Sequence, residues 1–388
     1  MERFRVEMED DAPAVYEEAG RRIREGKLVA FPTETVYGLG GNGLDVEAVK
    51  SIYEMKRRPA DDPVILHVID FQDAVELWDL ALPLRRVIAG LQEAFWPGPL
   101  TIVAKANSQV PSEVTAGTGK VAVRCPAHPV ARRLIAAARV PIAAPSANLF
   151  SRISPTRADH VAKYFVNEDL MLIDCDSDAC TIGIESVVIS VEEDSIHILR
   201  PGAISRDQLQ QAAPGIPVHD KIIPIEPSAP KDAVVAAECD FASSSPGQCL
   251  VHYSPSIPTC LIILNDAEKG LIDTEAGCEE RETLHYDSAD LERLLPLPLS
   301  RSAVIDLSAN RFGFLKSSCL YWKCLCDATH DLFATFHEIE DMKVPERLYI
   351  CTTMNDCHTN QGVLDRCIRA AAHHVIHWSP ANKRAVSQ

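Results

Sequence analysis

The stretch FPTETVYGLG, residues 31–40, decides how this 388-residue chain is read. It follows an apolar run, Leu28-Val29-Ala30, with the composition of a short buried strand. Its threonines supply uncharged donors and acceptors, and its glycines let a backbone come close to whatever lies beside it. A strand end of this kind is either a turn or a binding site, and the stretch alone leaves both open.

Outward from it, helical and strand periods alternate. Upstream, Val15, Ala19 and Ile23 recur every four residues and Gly26 stops the helix before KLVAF. Downstream, a helix carrying Val46, Val49 and Ile52 ends in Lys56-Arg57-Arg58 and is halted by Pro59. There follow PVILHVI, a helical segment from Val87 to Phe95, the turn WPGP, strands LTIVAKA and KVAVRCP, helix PVARRLIAAAR, PIAAPSAN and a helix near 156–165. LMLIDC, IGIESVVIS and SIHILRPG complete a mixed α/β block, residues 1–213, in which several strands are too apolar to have a wet face. Residues 214–257 hold seven prolines and no sustained period, which reads as a linker long enough to lie across something. Beyond it, TCLIILN, RSAVIDLS and ERLYICTT alternate with a helix carrying Leu325, Ala328, Leu332, Phe336 and Ile339 and another carrying Val363, Leu364, Cys367, Ile368 and Ala371. That pattern predicts a small open parallel sheet over 258–378, with a tail at 379–388.

The length suggests two domains, and 46% hydrophobic with 24% charged residues is the composition of an ordinary globular protein. Thirty-eight Lys and Arg against 55 Asp and Glu give a formal charge of −17, which repels phosphate backbones and predicts no stable nucleic-acid binding. Thirteen irregularly spaced cysteines behind a charged start, MERFRVEMEDD, predict a reduced, cytoplasmic setting. No apolar run nears the roughly 20 residues that span a bilayer, so no membrane association is expected.

Familiar constellations are missing. GTGK at 117–120 lacks the spacing of a phosphate loop, there is no G-x-S-x-G elbow, no G-x-G-x-x-G and no C-x-x-C. CLC at 324–326 is placed in the amphipathic helix, and HHVIH near the end reads as a solvated helix face. What remains is a scatter of cations in apolar strands: His67 in VILHV, Arg124 in VAVRCP and Arg200 in IHILRPG. An arginine at the end of a buried strand keeps its proton, so it must meet a carboxylate or bind an anion. Lys56 and Arg58 can complement their helix terminus or join such a site. Together with the polar strand ends PTET, PSAN and IES, these cations would form a hydroxyl-rich pocket for something small with several negative charges, such as a nucleotide plus a carboxylate.

PTETVYGLG, KRRPADDPVILHV, FWPGPLTIV, VAVRCPAHPVA, PIAAPSAN, SPT, GIESVVI and LRPG, in this order, resemble the YrdC-type domain of threonylcarbamoyl-AMP synthases. SPGQCLVHYSP, residues 245–255, is similar to the linker motif of the long form, and the remainder to its Rossmann-like C-terminal domain. The resemblance implies a YrdC-like twisted mixed sheet joined by the linker to a smaller parallel-sheet domain. It implies a nucleotidyltransferase that makes threonylcarbamoyl-adenylate and pyrophosphate from L-threonine, bicarbonate and ATP, and hands its product to a tRNA threonylcarbamoyl-transfer complex. Magnesium would ride on the ATP phosphates without protein ligands. By resemblance, Lys56, Arg58 and Arg124 are catalytic; with Thr33, His67 and Ser186 they surround threonine and the carboxy group. Thr35, Ser146, Asn148 and Arg200 serve ATP, and Tyr253, with His252, closes over the site from the linker. The sequence departs from the family at Phe150 and Ser151, where a serine-glycine pair is common, at Val251, and at 265–300, read as a solvated insertion. Two other readings stay open: a carbamoyl-adenylate-using relative, and a non-catalytic RNA-binding module.

Overall fold

The computed structural model describes residues 1–7, 12–175, 180–220, 252–264, 288–372 and 374–378. Its first unit is built on an eleven-stranded mixed sheet. Strand Val29–Phe31 runs into the PTET turn and returns antiparallel as Gly38–Asn42, so the opening stretch is a turn between two central strands. Gly38–Asn42 pairs with Ile142–Ala143, then come Ile65–His67, Lys120–Arg124, Leu100–Lys105, Val187–Val191 and Ile196–Arg200.

The register of these strands gathers the cations. His67 lies opposite Arg124, Arg124 opposite Thr101, Thr101 opposite Val188, and Val188 opposite Arg200. Residues in one such row project to the same face of a sheet, whereas their chain neighbours project to the other. Accordingly Leu66, Val123, Ile102, Val187 and Ile189 enter the main core beneath the helices. Ile65, Ala122, Val103 and Val188 form a small apolar floor on the cationic face. Alternation thus explains the charged residues His67 and Arg124 in otherwise apolar strands, whereas Arg200 reaches this face through a register shift after Ile198, which itself enters the main core.

Two caps fix the elements flanking the site. Helix Val46–Lys56 begins at Asp45, whose carboxylate accepts from Glu47 N at 2.9 Å, and ends at Arg57, φ 54°. That left-handed residue turns the chain so that Lys56 and Arg58 leave the helix end in different directions.

The second unit is a five-stranded, all-parallel sheet in the order Tyr321–Cys324, Ser302–Asp306, Arg347–Thr353, Thr259–Leu264, Val375–Trp378. Helices Ala328–Met342 and Gln361–Ala370 cover one face. Val36, Ile153 and Ile184 of the first unit and Tyr253 share a hydrophobic cluster with Leu332, Phe333 and Phe336 of the second, so the two units meet through a common core.

Three expectations are corrected. CLC is not helical: Cys324 ends the strand Tyr321–Cys324 and the helix starts only at Ala328, where Asp327 caps it. HHVIH gives a strand, Val375–Trp378, in which β-branched residues extend the sheet. The stretch read as linker from 214 contains the strand Val218–Asp220, parallel to Ile196–Arg200. The rest of that linker up to Val251, most of the acidic 265–300 segment and the 379–388 tail lie outside the described residues. No described helix is long and apolar enough to cross a membrane.

Candidate active site

A cleft of about 550 Å3 opens on the cationic face of the first sheet. Thr33, Thr35, Arg58, His67, Arg124, Ser146, Ser186, Arg200 and Tyr253 line it, joined by His252 and Glu185. Lys56 and Asn148 do not reach its surface and stand behind the wall.

The PTET turn is held by its first threonine. Thr33 Oγ1 donates to Val36 O at 2.7 Å, accepts from the amides of Thr35 and Val36, and lies 2.8 Å from Thr35 Oγ1. Thr35 Oγ1 in turn accepts from Arg124 Nη1 at 2.9 Å, while Arg124 Nε donates to Gly98 O and Nη2 to Glu34 Oε1 at 2.6 Å. Arg58 is fixed the same way: Nε donates to Asp62 O, Nη2 to Pro63 O, and Nη2 lies 2.8 Å from Asp62 Oδ2. Both arginines therefore satisfy the salt-bridge reading and still line the cleft. At the other end, Arg200 donates to Ser186 O and Oγ, and Ser186 Oγ lies 2.7 Å from Thr101 Oγ1.

Behind the wall, Lys56 Nζ donates to Ser146 O and Asn148 O, both at 2.5 Å, and Lys56 O accepts from Phe150 N. Asn148 Nδ2 donates to Leu149 O and Arg152 O. Lys56 and Asn148 thus shape the PSAN loop that presents Ser146. Burial, followed by the nearby Arg58 charge, pushes the Lys56 ammonium well below its ordinary pKa. Burial and then Arg124 lower His67 to about 3, leaving it a neutral imidazole. Burial raises the Glu34 carboxyl, but its Arg124 partner reverses this and the net shift is downward.

Several buried polar atoms around the cleft have no hydrogen-bond partner among the described residues: His67 Nδ1, Glu34 Oε2, His252 Nδ1 and Tyr253 Oη. Buried groups are rarely left so, and such a cluster beside a cleft marks groups available to a ligand. Tyr253 takes φ 60°, and His252 packs edge-on to it with ring centroids 4.0 Å apart. Phe150 meets His252 edge-on at 5.9 Å, and Ser151, φ 62°, accepts from Ser254 N at 2.9 Å. The departures at Phe150 and Ser151 are therefore where the linker segment rests.

Sequence reasoning assigned no role to Glu34, Asp62, Glu185 or Thr101. Glu34 and Glu185 stand inside the quoted motifs PTET and IES, so the signal was a carboxylate next to each hydroxyl; the pairing of Thr101 with Ser186 left none. The arrangement can bind a compact polyanion, neutralise its charge with fixed guanidinium groups and hydrogen-bond it through hydroxyls.

A family model described as "Telomere recombination" matches residues 21–202, and one described as "Threonylcarbamoyl-AMP synthase, C-terminal domain" matches residues 204–372. A threonylcarbamoyl-AMP synthase of Pyrococcus abyssi is 43% identical over 240 residues, 62% of this chain and 65% of the relative. The chain thus spans just under two thirds of that relative's length. One of Halorhodospira halophila is 35% identical over 147 residues, 38% of this chain and 75% of the relative. The crystal structure of P. abyssi Sua5 complexed with L-threonine superposes with a TM-score of 0.75 at 28% identity, covering 97% of this chain and 100% of that one.

Proposed function

The chain belongs to the two-domain threonylcarbamoyl-AMP synthase family, and we propose that it makes threonylcarbamoyl-AMP and pyrophosphate from L-threonine, bicarbonate and ATP. The observation that carries this reading is one cleft whose wall holds three arginines, in a chain whose formal charge is −17. Local positive charge against that background selects small anions without attracting polyanions at long range.

The chemistry needs no covalent group from the protein. Threonine's amine and bicarbonate condense to a carbamate with loss of water; a carbamate oxygen then attacks the α-phosphorus, and pyrophosphate leaves. Holding the reactants together supplies most of the advantage, and charge neutralisation supplies the rest. Arg58 and Arg124 are the catalytic cations, and Lys56, named with them in the sequence, acts from behind the wall by holding the PSAN loop. Thr33, His67 and Ser186 receive threonine and the carboxy group; a neutral His67 can hydrogen-bond there without adding charge. Thr35, Ser146, Arg200 and Tyr253 serve the nucleotide, with Asn148 shaping the loop behind Ser146.

The described residues hold no cluster of His, Cys, Asp and Glu suited to a cation, and the nearby carboxylates of Glu34, Asp62 and Glu185 face arginines. This fits magnesium carried by ATP phosphates and water, which screens the phosphate charge when bound. The adenylate is a reactive mixed anhydride, so its consumer is an acyl-transfer reaction, assigned here to a cytoplasmic tRNA threonylcarbamoyl-transfer complex.

The test is mass spectrometry of products from labelled threonine, bicarbonate and ATP, with pyrophosphate counted in parallel. The expected result is a labelled adenylate and pyrophosphate only when all three are present. Pyrophosphate release that ignores threonine overturns the reading.

A further inference from the structure

Arg366 sits on helix Gln361–Ala370 of the second unit, yet its side chain ends in the back wall of the first unit's cleft. The helix start lies against the Pro201–Gly202 backbone: a Cβ on Gly362 would stand 2.8 Å from Gly202 O, so this approach requires glycine. One turn further along, Arg366 is fully buried. Its Nε donates to Glu185 Oε2 at 3.0 Å, Nη2 to Glu185 O at 3.2 Å and Nη1 to Pro201 O at 2.5 Å. Its guanidinium carbon also stands 5.4 Å from the centroid of the Tyr253 ring.

These contacts share one property. Glu185 directly precedes Ser186, Pro201 directly follows Arg200, and Tyr253 lines the same cleft. A single side chain therefore fastens three segments that are distant in sequence and that present three cleft groups. The other Glu185 oxygen accepts from Ser154 Oγ at 2.5 Å, so this carboxylate is engaged at both ends. A planar guanidinium can meet two carbonyls and a carboxylate at fixed angles while facing a ring; an ammonium cannot.

The units are also docked by contacts away from the cleft. Arg152 meets Glu340 at 3.3 Å, Lys163 meets Asp341, and the His160 and His337 rings stack at 3.8 Å. Docking alone thus leaves Arg366 without a special role, which makes the distinction measurable.

We infer that Arg366 is a positioning residue: through it the second unit completes the cleft, holding Ser186, Arg200 and Tyr253 where the nucleotide and amino acid are received. This rests on the proposed synthase reading. Arg366→Lys, Arg366→Met and, as a docking control, Glu340→Gln are compared in the full chain by threonine-dependent pyrophosphate release and by hydrogen exchange. Both Arg366 variants are expected to lose at least tenfold in kcat/KM, mainly through higher KM for ATP and threonine. Exchange should quicken in residues 184–188, 199–203 and 252–255 but not in the strands Thr259–Leu264 and Arg347–Thr353. Glu340→Gln should stay within twofold on both substrates.

Retention of kcat/KM within twofold in Arg366→Met overturns the inference. So does an equal loss in Glu340→Gln, rescue by lysine, or exchange that quickens throughout the second sheet. Should the unaltered protein release no threonine-dependent pyrophosphate, the synthase reading fails separately, and the local or global pattern of exchange still decides the role of Arg366.

Discussion

Arg124, which lines the cleft, donates to Glu34 at 2.6 Å, and both side chains are buried. Arg124→Ala strands the Glu34 carboxylate, a loss that costs about 3–5 kcal/mol where a buried pair is broken from one side. It also removes a fixed cation, so turnover should fall at least tenfold, roughly 1.4 kcal/mol of transition-state stabilisation or more. Glu34→Gln keeps the cation and should retain far more activity than Arg124→Ala. Pyrophosphate release by the two variants checks this, and equal losses would show that the pair serves the fold alone.

The Lys56 ammonium acts on the cleft through the PSAN loop, holding Ser146 O and Asn148 O together. Lys56→Met leaves both carbonyls without their donor, each a penalty of about 1–3 kcal/mol if it stays buried. The expected result is at least a tenfold lower kcat/KM for ATP, with no rescue by Lys56→Arg, whose larger head does not fit between the two carbonyls. Calorimetric titration of ATP separates a binding defect from a chemical one; unchanged affinity together with unchanged turnover would remove Lys56 from the site.

How much of this was legible depended on the range of each interaction. Strand Ile65–His67 and helix Val46–Lys56 follow from period and punctuation, both local. The cations in apolar strands signalled a site: alternation places His67 and Arg124 on one face, and a register shift between Ile198 and Arg200, which no local pattern announces, brings Arg200 into the same row. The edge strand Val375–Trp378 was misread because a short run of histidines and β-branched residues has no clear period. The Arg366–Glu185 pair joins residues 181 apart in sequence, and nothing local to either announces the other. Lys56 shows the limit from the other side: its membership in the motif was visible, but not that it works from behind the wall.

Five buried histidines make stability depend on mild acid. Burial, and then neighbouring cations for His67 and His337, lower His67 to about 3 and His128 and His337 to about 4; burial and then the His337 charge lower His160 to about 2. Burial and then Arg58 push His252 well down. Above the ordinary value of 6.5 these rings are neutral folded or unfolded. Below it the unfolded chain takes up protons that the folded chain refuses, so stability falls as pH drops. Each ring contributes roughly 1 kcal/mol of loss between pH 7.5 and 5.5. The urea midpoint should fall clearly over that interval. A midpoint that holds steady would mean that these rings take up protons without unfolding.

Ser151 is a serine in a left-handed conformation, φ 62°, with its carbonyl accepting from Ser254 N of the linker segment. A side chain pays about 1–2 kcal/mol in that region, whereas glycine enters it freely. Glycine also gains freedom in the unfolded chain, worth about 0.5–1 kcal/mol against folding. Ser151→Gly should therefore be neutral or slightly stabilising, with ATP and threonine KM unchanged because the carbonyl stays in place. Ser151→Val adds a β-branched side chain where it fits worst, so it should lose at least about 1 kcal/mol. It should also raise KM as the Ser254 bond shifts and His252-Tyr253 loosens over the cleft. Denaturant midpoints and the ATP and threonine KM of the two variants decide between these outcomes. Should valine match glycine in all these measurements, the turn at Ser151 does not hold the linker segment in place.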